Sequence, residues 1–186
     1  MADKLLRHEA NGIHHLVMND GPNALNDPLM EALSSALAEL REAGAPPVLV
    51  RSSHRALFCP GWDLKVLAGV ERDRVAAALG RFNRLIFDLF SYPGPTAAAI
   101  EGHAVAGGCL LALSCDLRTM AAGQPRIGLS ELNLGVPVPA SSLIMLPFYA
   151  LLAQAGFGNL QFFDDRPFKV EAVDNHPIRG YLLSNG

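Results

Sequence analysis

The stretch AAIEGHAVAGGCLLALSCDLR, residues 98–118, decides the fold of this chain. The apolar run Thr96–Ile100 is typical of a strand, and it breaks at Glu101-Gly102. The pair Gly107-Gly108 then precedes a second apolar run, residues 109–113, which is typical of a helix. A strand, a turn of small residues and a helix direct backbone N–H groups out of the start of the helix. Such groups can hold a negative charge without using a side chain.

The glycine pair has two interpretations that the local composition leaves open. The glycines either allow tight backbone packing where helix meets strand, or they form an anion-binding turn. The motifs of nucleotide-binding loops are missing, because no Lys-Ser/Thr follows the pair and the spacing is not G-x-G-x-x-G.

Strand and helix patterns alternate on both sides of this stretch. We expect a hairpin over residues 3–18, turning at Asn11-Gly12. A helix should begin with Asp27 as N-cap and Pro28 at its first helical position, and end at Gly44. Further elements are predicted as strands at 48–50 and 117–121, helices at 71–90 and 141–154, and loops at 54–65 and 122–140. The alternation predicts an α/β fold built from right-handed crossover units.

Size and composition favour a single globular domain without nucleic-acid or membrane partners. Of 186 residues, 50% are hydrophobic and 18% are charged, and the net charge is -3. Such a chain can fill a core but offers no basic surface to a phosphate backbone. No uninterrupted apolar run is long enough to span a bilayer, and the N-terminus lacks the apolar core of a signal peptide. We therefore expect a cytoplasmic protein.

Three cysteines, Cys59, Cys109 and Cys115, point to a reducing compartment. An odd number without a C-x-x-C pair argues against a disulfide framework and against zinc. We expect buried, unreactive thiols and no metal site.

Two further segments carry residues suited to chemistry. Residues 56–65, ALFCPGWDLK, form a loop in which Trp62 is either a hydrophobic anchor or a donor through its backbone N–H. Residues 127–136, IGLSELNLGV, place Glu131 among leucines. Glu131 is either an exposed surface carboxylate or, against an apolar wall, a general base with raised proton affinity. His103 has no convincing nucleophile partner, and we expect it to be structural.

The three segments together resemble the crotonase superfamily, the enoyl-CoA hydratase/isomerase family. IEGHAVAGGCLLALSCDLR resembles its signature segment, ALFCPGWDLK its first oxyanion-hole loop, and IGLSELNLGV its catalytic-glutamate loop. Their order and spacing agree, and the resemblance covers roughly residues 5–147. It implies a crotonase-like spiral of repeated ββα units, with a C-terminal helical region that mediates trimerisation.

The resemblance implies an enzyme that binds an acyl-CoA thioester and stabilises its enolate. The two oxyanion-hole donors would be the backbone N–H groups of Trp62 and Gly107, and the catalytic base would be Glu131. It also implies substrate contacts at Pro60, Gly61, Asp63, Leu64, Leu110 and Ser130. Coenzyme A would be part of the substrate, no separate cofactor is expected, and the protein would be a homo-oligomer, a trimer or hexamer.

Leu110 bears on which family reaction is expected. Family hydratases use two glutamates, one of them three residues after the oxyanion-hole glycine, and here that position is Leu110. A single carboxylate, Glu131, resembles the Δ3,Δ2-enoyl-CoA isomerases, which move a proton from C2 to C4 without water. Hydration or another crotonase reaction is the alternative.

The resemblance fades after about Pro147, which divides the chain into a crotonase-like core, residues 1–147, and a divergent segment, residues 148–186. The C-terminal helical region therefore looks shortened. A non-catalytic CoA-binding or assembly protein is a third possibility. Trp62 is also bulkier than the residue usual at its place, which would narrow the acyl pocket.

Overall fold

The computed structural model describes residues 3–63, 72–123 and 125–129. Among these are three helices, α1 (Asp27–Glu42), α2 (Arg72–Phe90) and α3 (Gly107–Leu113). The strands are β1 (Leu5–Ala10), β2 (Ile13–Met18), β3 (Val48–Ser52), β4 (Leu57–Cys59), β5 (Thr96–Ile100), β6 (His103–Val105), β7 (Leu117–Met120) and β8 (Ile127–Gly128). The predicted α/β class is confirmed.

The eight strands form two sheets that the chain visits in turn. The larger sheet has the order β1-β2-β3-β5-β7 and the smaller one the order β4-β6-β8. The β1–β2 hairpin is antiparallel and every other pairing is parallel. Strands β3 and β4 precede α2, and β5 and β6 precede α3. Each unit therefore places one strand in each sheet and then adds a helix, which is a ββα repeat.

Helix α1 covers the hairpin end of the large sheet with a regular apolar stripe. Its buried residues are Leu29, Met30, Leu33, Ala36, Leu37 and Leu40. The predicted N-cap, Asp27, is wrong by one residue. Asn26 is extended, and its side chain accepts a 3.0 Å hydrogen bond from the Leu29 N–H. The Asp27 carboxylate is instead held by Arg81 of α2, with N–O distances of 2.9 and 2.6 Å.

The strands of the small sheet were predicted as loop. The structure corrects those loops, because β4, β6 and β8 have three residues or fewer. Such short strands show no sequence periodicity and are defined only by pairing with one another. The predicted helix at 141–154 and the divergent segment 148–186 lie outside the described residues.

One hydrophobic core lies between the sheets and the helices and includes all three cysteines. Burial raises the pKa of the Cys59 and Cys115 thiols to about 12, which keeps them protonated at neutral pH. The expectation of buried, unreactive thiols is confirmed for these two. Among the described helices, none is both long and apolar enough to cross a bilayer.

Candidate active site

The loop after β4 is fixed by a single bridge to the segment before α1. Leu25 and Trp62 form a parallel β-bridge. The Leu25 N–H donates to the Gly61 carbonyl at 2.7 Å, and the Asp63 N–H donates to the Leu25 carbonyl at 3.1 Å. Because the groups on either side of Trp62 point toward Leu25, the Trp62 N–H points to the opposite side of its own segment.

The same loop lies directly against the start of α3. A Cβ added at Gly61 would lie 2.7 Å from the Ala106 Cβ and 3.0 Å from the Gly107 nitrogen. Gly61 also has φ +92°, a conformation that side chains disfavour. Only glycine therefore lets the backbone before Trp62 approach the Gly107 amide this closely.

The indole ring of Trp62 also packs against Gly107. A Cβ added at Gly107 would lie 3.1 Å from Trp62 Cδ1 and 3.0 Å from Leu25 Cδ1. The indole also meets Phe82 of α2 edge-on, with ring centroids 5.6 Å apart. Both interpretations of Trp62 thus have support, since its ring anchors the loop while its backbone N–H faces away from Leu25.

Two neighbouring amides are left available at this junction. Within residues 3–63, 72–123 and 125–129, no acceptor takes the N–H of Trp62 or of Gly107. The Gly107 amide is at the first position of α3, where a helix has no internal acceptor for it. Buried backbone donors are normally paired, so an oxygen atom placed between these two would complete their hydrogen bonding.

The two glycines of the pair differ in what surrounds them. A Cβ added at Gly108 would lie 2.1 Å from the Cys59 carbonyl oxygen and 2.7 Å from its carbon. Gly108 therefore permits the close packing of α3 on β4, whereas Gly107 contributes the unpaired amide. Tight packing is thus observed at Gly108, and anion binding at Gly107 stays a prediction.

Ala106 holds an unusual backbone conformation immediately before this amide. It has φ 52° and ψ -124°, a region that non-glycine residues avoid. Its own N–H donates to the Gly128 carbonyl at 2.9 Å, and its carbonyl accepts from the Leu110 N–H at 3.1 Å. These two bonds hold the strained turn that aims the Gly107 N–H.

A buried polar network supports the segment that pairs with Trp62. Asn23 is fully buried, and its amide joins the Asp20 N–H to the hydroxyl of Ser52. Asp20 also accepts from Asn26 and pairs with Lys4. Burial alone would raise the pKa of the Asp20 carboxyl, but these partners outweigh it and hold the pKa below its ordinary value. Sequence reasoning missed this network, because hydrogen bonds between segments far apart in the chain leave no local pattern.

The structure accounts for five of the predicted substrate and oxyanion-hole residues as neighbours. Gly61, Trp62 and Gly107 meet as described, while Pro60 and Asp63 flank them in the same loop. Leu110 lies one turn into α3 and is buried in the core, 1% exposed. The remaining predicted residues, Leu64, Ser130 and Glu131, lie outside the described residues.

His103 is structural, as expected. It belongs to β6, and its Nδ1 accepts a 3.1 Å hydrogen bond from the Arg126 N–H. In the described part of the chain, no group of three or more metal-ligating side chains comes together.

The fold and the site define the crotonase class of proteins: a ββα repeat places a loop amide beside the first amide of a helix, and neither has an acceptor among the described residues. The chain belongs to the enoyl-CoA hydratase/isomerase family, whose sequence profile matches residues 8–149. This confirms the resemblance predicted from the three segments.

Individual relatives carry names of both reactions. The chain is 37% identical over 139 residues to the mitochondrial enoyl-CoA hydratase domain-containing protein 2 of Bos taurus, covering 73% of this chain and 47% of that protein. It is 35% identical over 123 residues to the peroxisomal enoyl-CoA delta isomerase 1 of Arabidopsis thaliana, covering 65% and 51%. The chain therefore spans about half the length of these relatives.

A solved structure of the family has the same fold. The enoyl-CoA hydratase of Bacillus anthracis superposes with a TM-score of 0.72 at 29% sequence identity. The match covers 78% of this chain and 57% of that one.

Proposed function

We propose that the protein is an acyl-CoA enzyme that stabilises a thioester enolate, and that it acts as a Δ3,Δ2-enoyl-CoA isomerase. The observation that supports this most is the pair of unpaired amides, Trp62 and Gly107, at one junction of the family fold. A thioester oxygen that gains negative charge would accept from both. In comparable sites one such donor is worth about 3–4 kcal/mol of transition-state stabilisation.

In this mechanism Glu131 takes a proton from C2 of a 3-enoyl thioester. The electron pair moves onto the thioester oxygen, giving a dienolate held by the two amides. Glu131 then returns the proton to C4, and the double bond ends between C2 and C3. No water enters the reaction, so the carboxylate works best in an apolar surround.

The composition of α3 supports isomerisation over hydration. The helix reads GGCLLAL and has no carboxylate, and Leu110 stands where family hydratases carry their second glutamate. A buried leucine cannot orient or activate water. Most of the relatives have hydratase names and one is named as an isomerase, so hydration is the second candidate.

The test is turnover of a 3-enoyl-CoA to its 2-enoyl isomer by the purified protein. Glu131→Gln keeps the size of the side chain but cannot act as the base, and we expect kcat to fall by about a thousandfold or more. Glu42→Gln, at the exposed end of α1, is the matched control and should keep wild-type activity. Unchanged turnover in Glu131→Gln would overturn the assignment.

Two other outcomes would select the alternatives. Addition of water to a 2-enoyl-CoA that outpaces isomerisation would make the protein a hydratase. Binding of acyl-CoA without either reaction would make it a CoA-binding or assembly protein. The homo-oligomer, the lack of a separate cofactor and the cytoplasmic location stay predictions.

A further inference from the structure

We propose that Asn23 is a positioning residue for the Trp62 amide and that it acts through the hydroxyl of Ser52. This inference rests on the proposed function, because it concerns the alignment of one of the two oxyanion-hole donors. It identifies a residue that lies outside the three family segments and does not contact the thioester itself.

Asn23 is bound at both ends of its side-chain amide. Its Oδ1 accepts from the Asp20 N–H and its Nδ2 donates to Ser52 Oγ, each at 2.7 Å. The residue is 0% exposed and has φ 60°. Glycine would adopt that backbone conformation without any side chain, and burying an amide is costly unless it is hydrogen-bonded. The presence of an amide side chain at this position is therefore explained by its hydrogen bonds to the Asp20 N–H and to the Ser52 hydroxyl.

Ser52 passes that connection to the strand that leads into the site. Its hydroxyl donates to the Leu57 carbonyl at 2.6 Å, so it accepts from Asn23 while holding the start of β4. Strand β4 continues directly into residues 60–62. The end of β3, the start of β4 and the 20–23 turn thus share one hydroxyl group.

The turn at Asn23 also positions Leu25, which pairs with the Trp62 segment. Leu25 follows two residues later, and its backbone binds Gly61 and Asp63. Asn23 thereby links both supports of the Trp62 segment, the β4 strand that precedes it and the bridge that pairs with it. The Gly107 amide is held separately, through Ala106 and Gly128. Loss of the Asn23–Ser52 bond should therefore move one donor relative to the other.

The chain provides a matched control in a second Asn–Ser pair, four residues before Asn23 and one residue after Ser52. Asn19 and Ser53 also form a hydrogen bond, at 2.9 Å, but this pair is exposed. It reaches neither Leu57 nor Leu25. Comparing the two Asn–Ser pairs separates loss of a hydrogen bond in general from loss of the one that supports Trp62.

The experiment compares Asn23→Gly and Ser52→Ala with Asn19→Ala and Ser53→Ala. For each protein we would measure kcat and KM for isomerisation, the free energy of unfolding, and the carbonyl stretching frequency of a bound ¹³C-labelled acyl-CoA thioester. That frequency falls when donors polarise the thioester oxygen. It reports donor alignment even in the absence of turnover.

We expect Asn23→Gly and Ser52→Ala to lower kcat by at least about tenfold, with KM changed by less than about twofold. Their carbonyl shift should be smaller than that of the wild type. Ser52→Thr keeps the hydroxyl and should show the wild-type carbonyl shift. If Asn23→Gly does not fold, the comparison of Ser52→Ala with Ser52→Thr tests the proposal. The exposed-pair variants should behave as the wild type.

The carbonyl shift distinguishes failure of this inference from failure of the proposed function. If the wild type polarises the thioester carbonyl and Ser52→Ala polarises it equally, Asn23 and Ser52 have only a structural role and the inference is overturned. If the wild-type protein binds the thioester without any carbonyl shift, the oxyanion hole and the proposed function fail instead.

Discussion

The hairpin turn and the turn at the start of α3 use glycine for different physical reasons. At the hairpin turn, Gly12 has φ +73° and an added Cβ would meet nothing within 4 Å. At the start of α3, Gly107 and Gly108 lack a positive φ, but an added Cβ would collide with neighbours in both cases. The hairpin needs glycine for its conformation, whereas the site needs it for space. The same residue type therefore predicts different consequences of substitution.

Gly108→Ala should have the largest effect. Its Cβ would overlap the Cys59 carbonyl of β4, and backbone cannot move aside as the end of a side chain can. We expect the free energy of unfolding to fall by more than about 3 kcal/mol, measured by urea denaturation. A loss below about 1 kcal/mol would show that α3 does not pack on β4 as described.

Gly107→Ala should separate activity from stability. Its Cβ would press on side-chain atoms of Leu25 and Trp62, and these side chains can shift by a few tenths of an ångström more easily than backbone can. We expect a stability loss of about 1 kcal/mol. The displaced indole should disturb the donor pair and lower kcat by at least about tenfold. Equal losses of stability in Gly107→Ala and Gly108→Ala would remove the distinction between the two glycines.

Gly12→Ala tests whether the hairpin turn needs glycine for its backbone conformation. The alanine side chain fits the space but must adopt a left-handed backbone, which costs about 1 kcal/mol. Denaturation should register that loss, while turnover of an enoyl-CoA should stay at the wild-type value. A change in kcat would show that the hairpin turn is coupled to the site.

Ala106→Gly should have a small effect of the opposite sign. Removing the Cβ relieves the strain at φ 52° and should raise the free energy of unfolding by about 1 kcal/mol. Asn11 has φ 54° in the hairpin turn, but asparagine tolerates this region, so Asn11→Gly should change stability less. If Ala106→Gly is instead less stable than the wild type, the packing of the alanine methyl group stabilises the protein by more than the backbone strain destabilises it.

Local patterns predicted the longer elements well. The hairpin, α1, α2 and the strand–turn–helix around Gly107 all lie where periodicity and turn residues indicated. The strands of the small sheet were missed, because they exist only as partners of one another. The ββα repeat was also invisible as a sequence repeat, since each unit keeps its geometry with different residues.

Candidate donors could be proposed from the sequence, but their support could not. Trp62 and Gly107 were named through a family resemblance, 45 positions apart along the chain. Asn23 and Ser52 gave no signal, because a turn asparagine and a strand serine are ordinary in isolation. Their importance follows from a hydrogen bond between distant segments.

The sequence by itself determined the class of fold, the family and the residue types available for chemistry. Local preferences and apolar periodicity act over a few residues, and the printed chain contains them. Only the tertiary structure decided that the Trp62 and Gly107 amides meet, that Gly108 rather than Gly107 bears the backbone packing, and that Asn23 supports the loop. Those outcomes depend on close contacts between segments, which packing of the whole core sets.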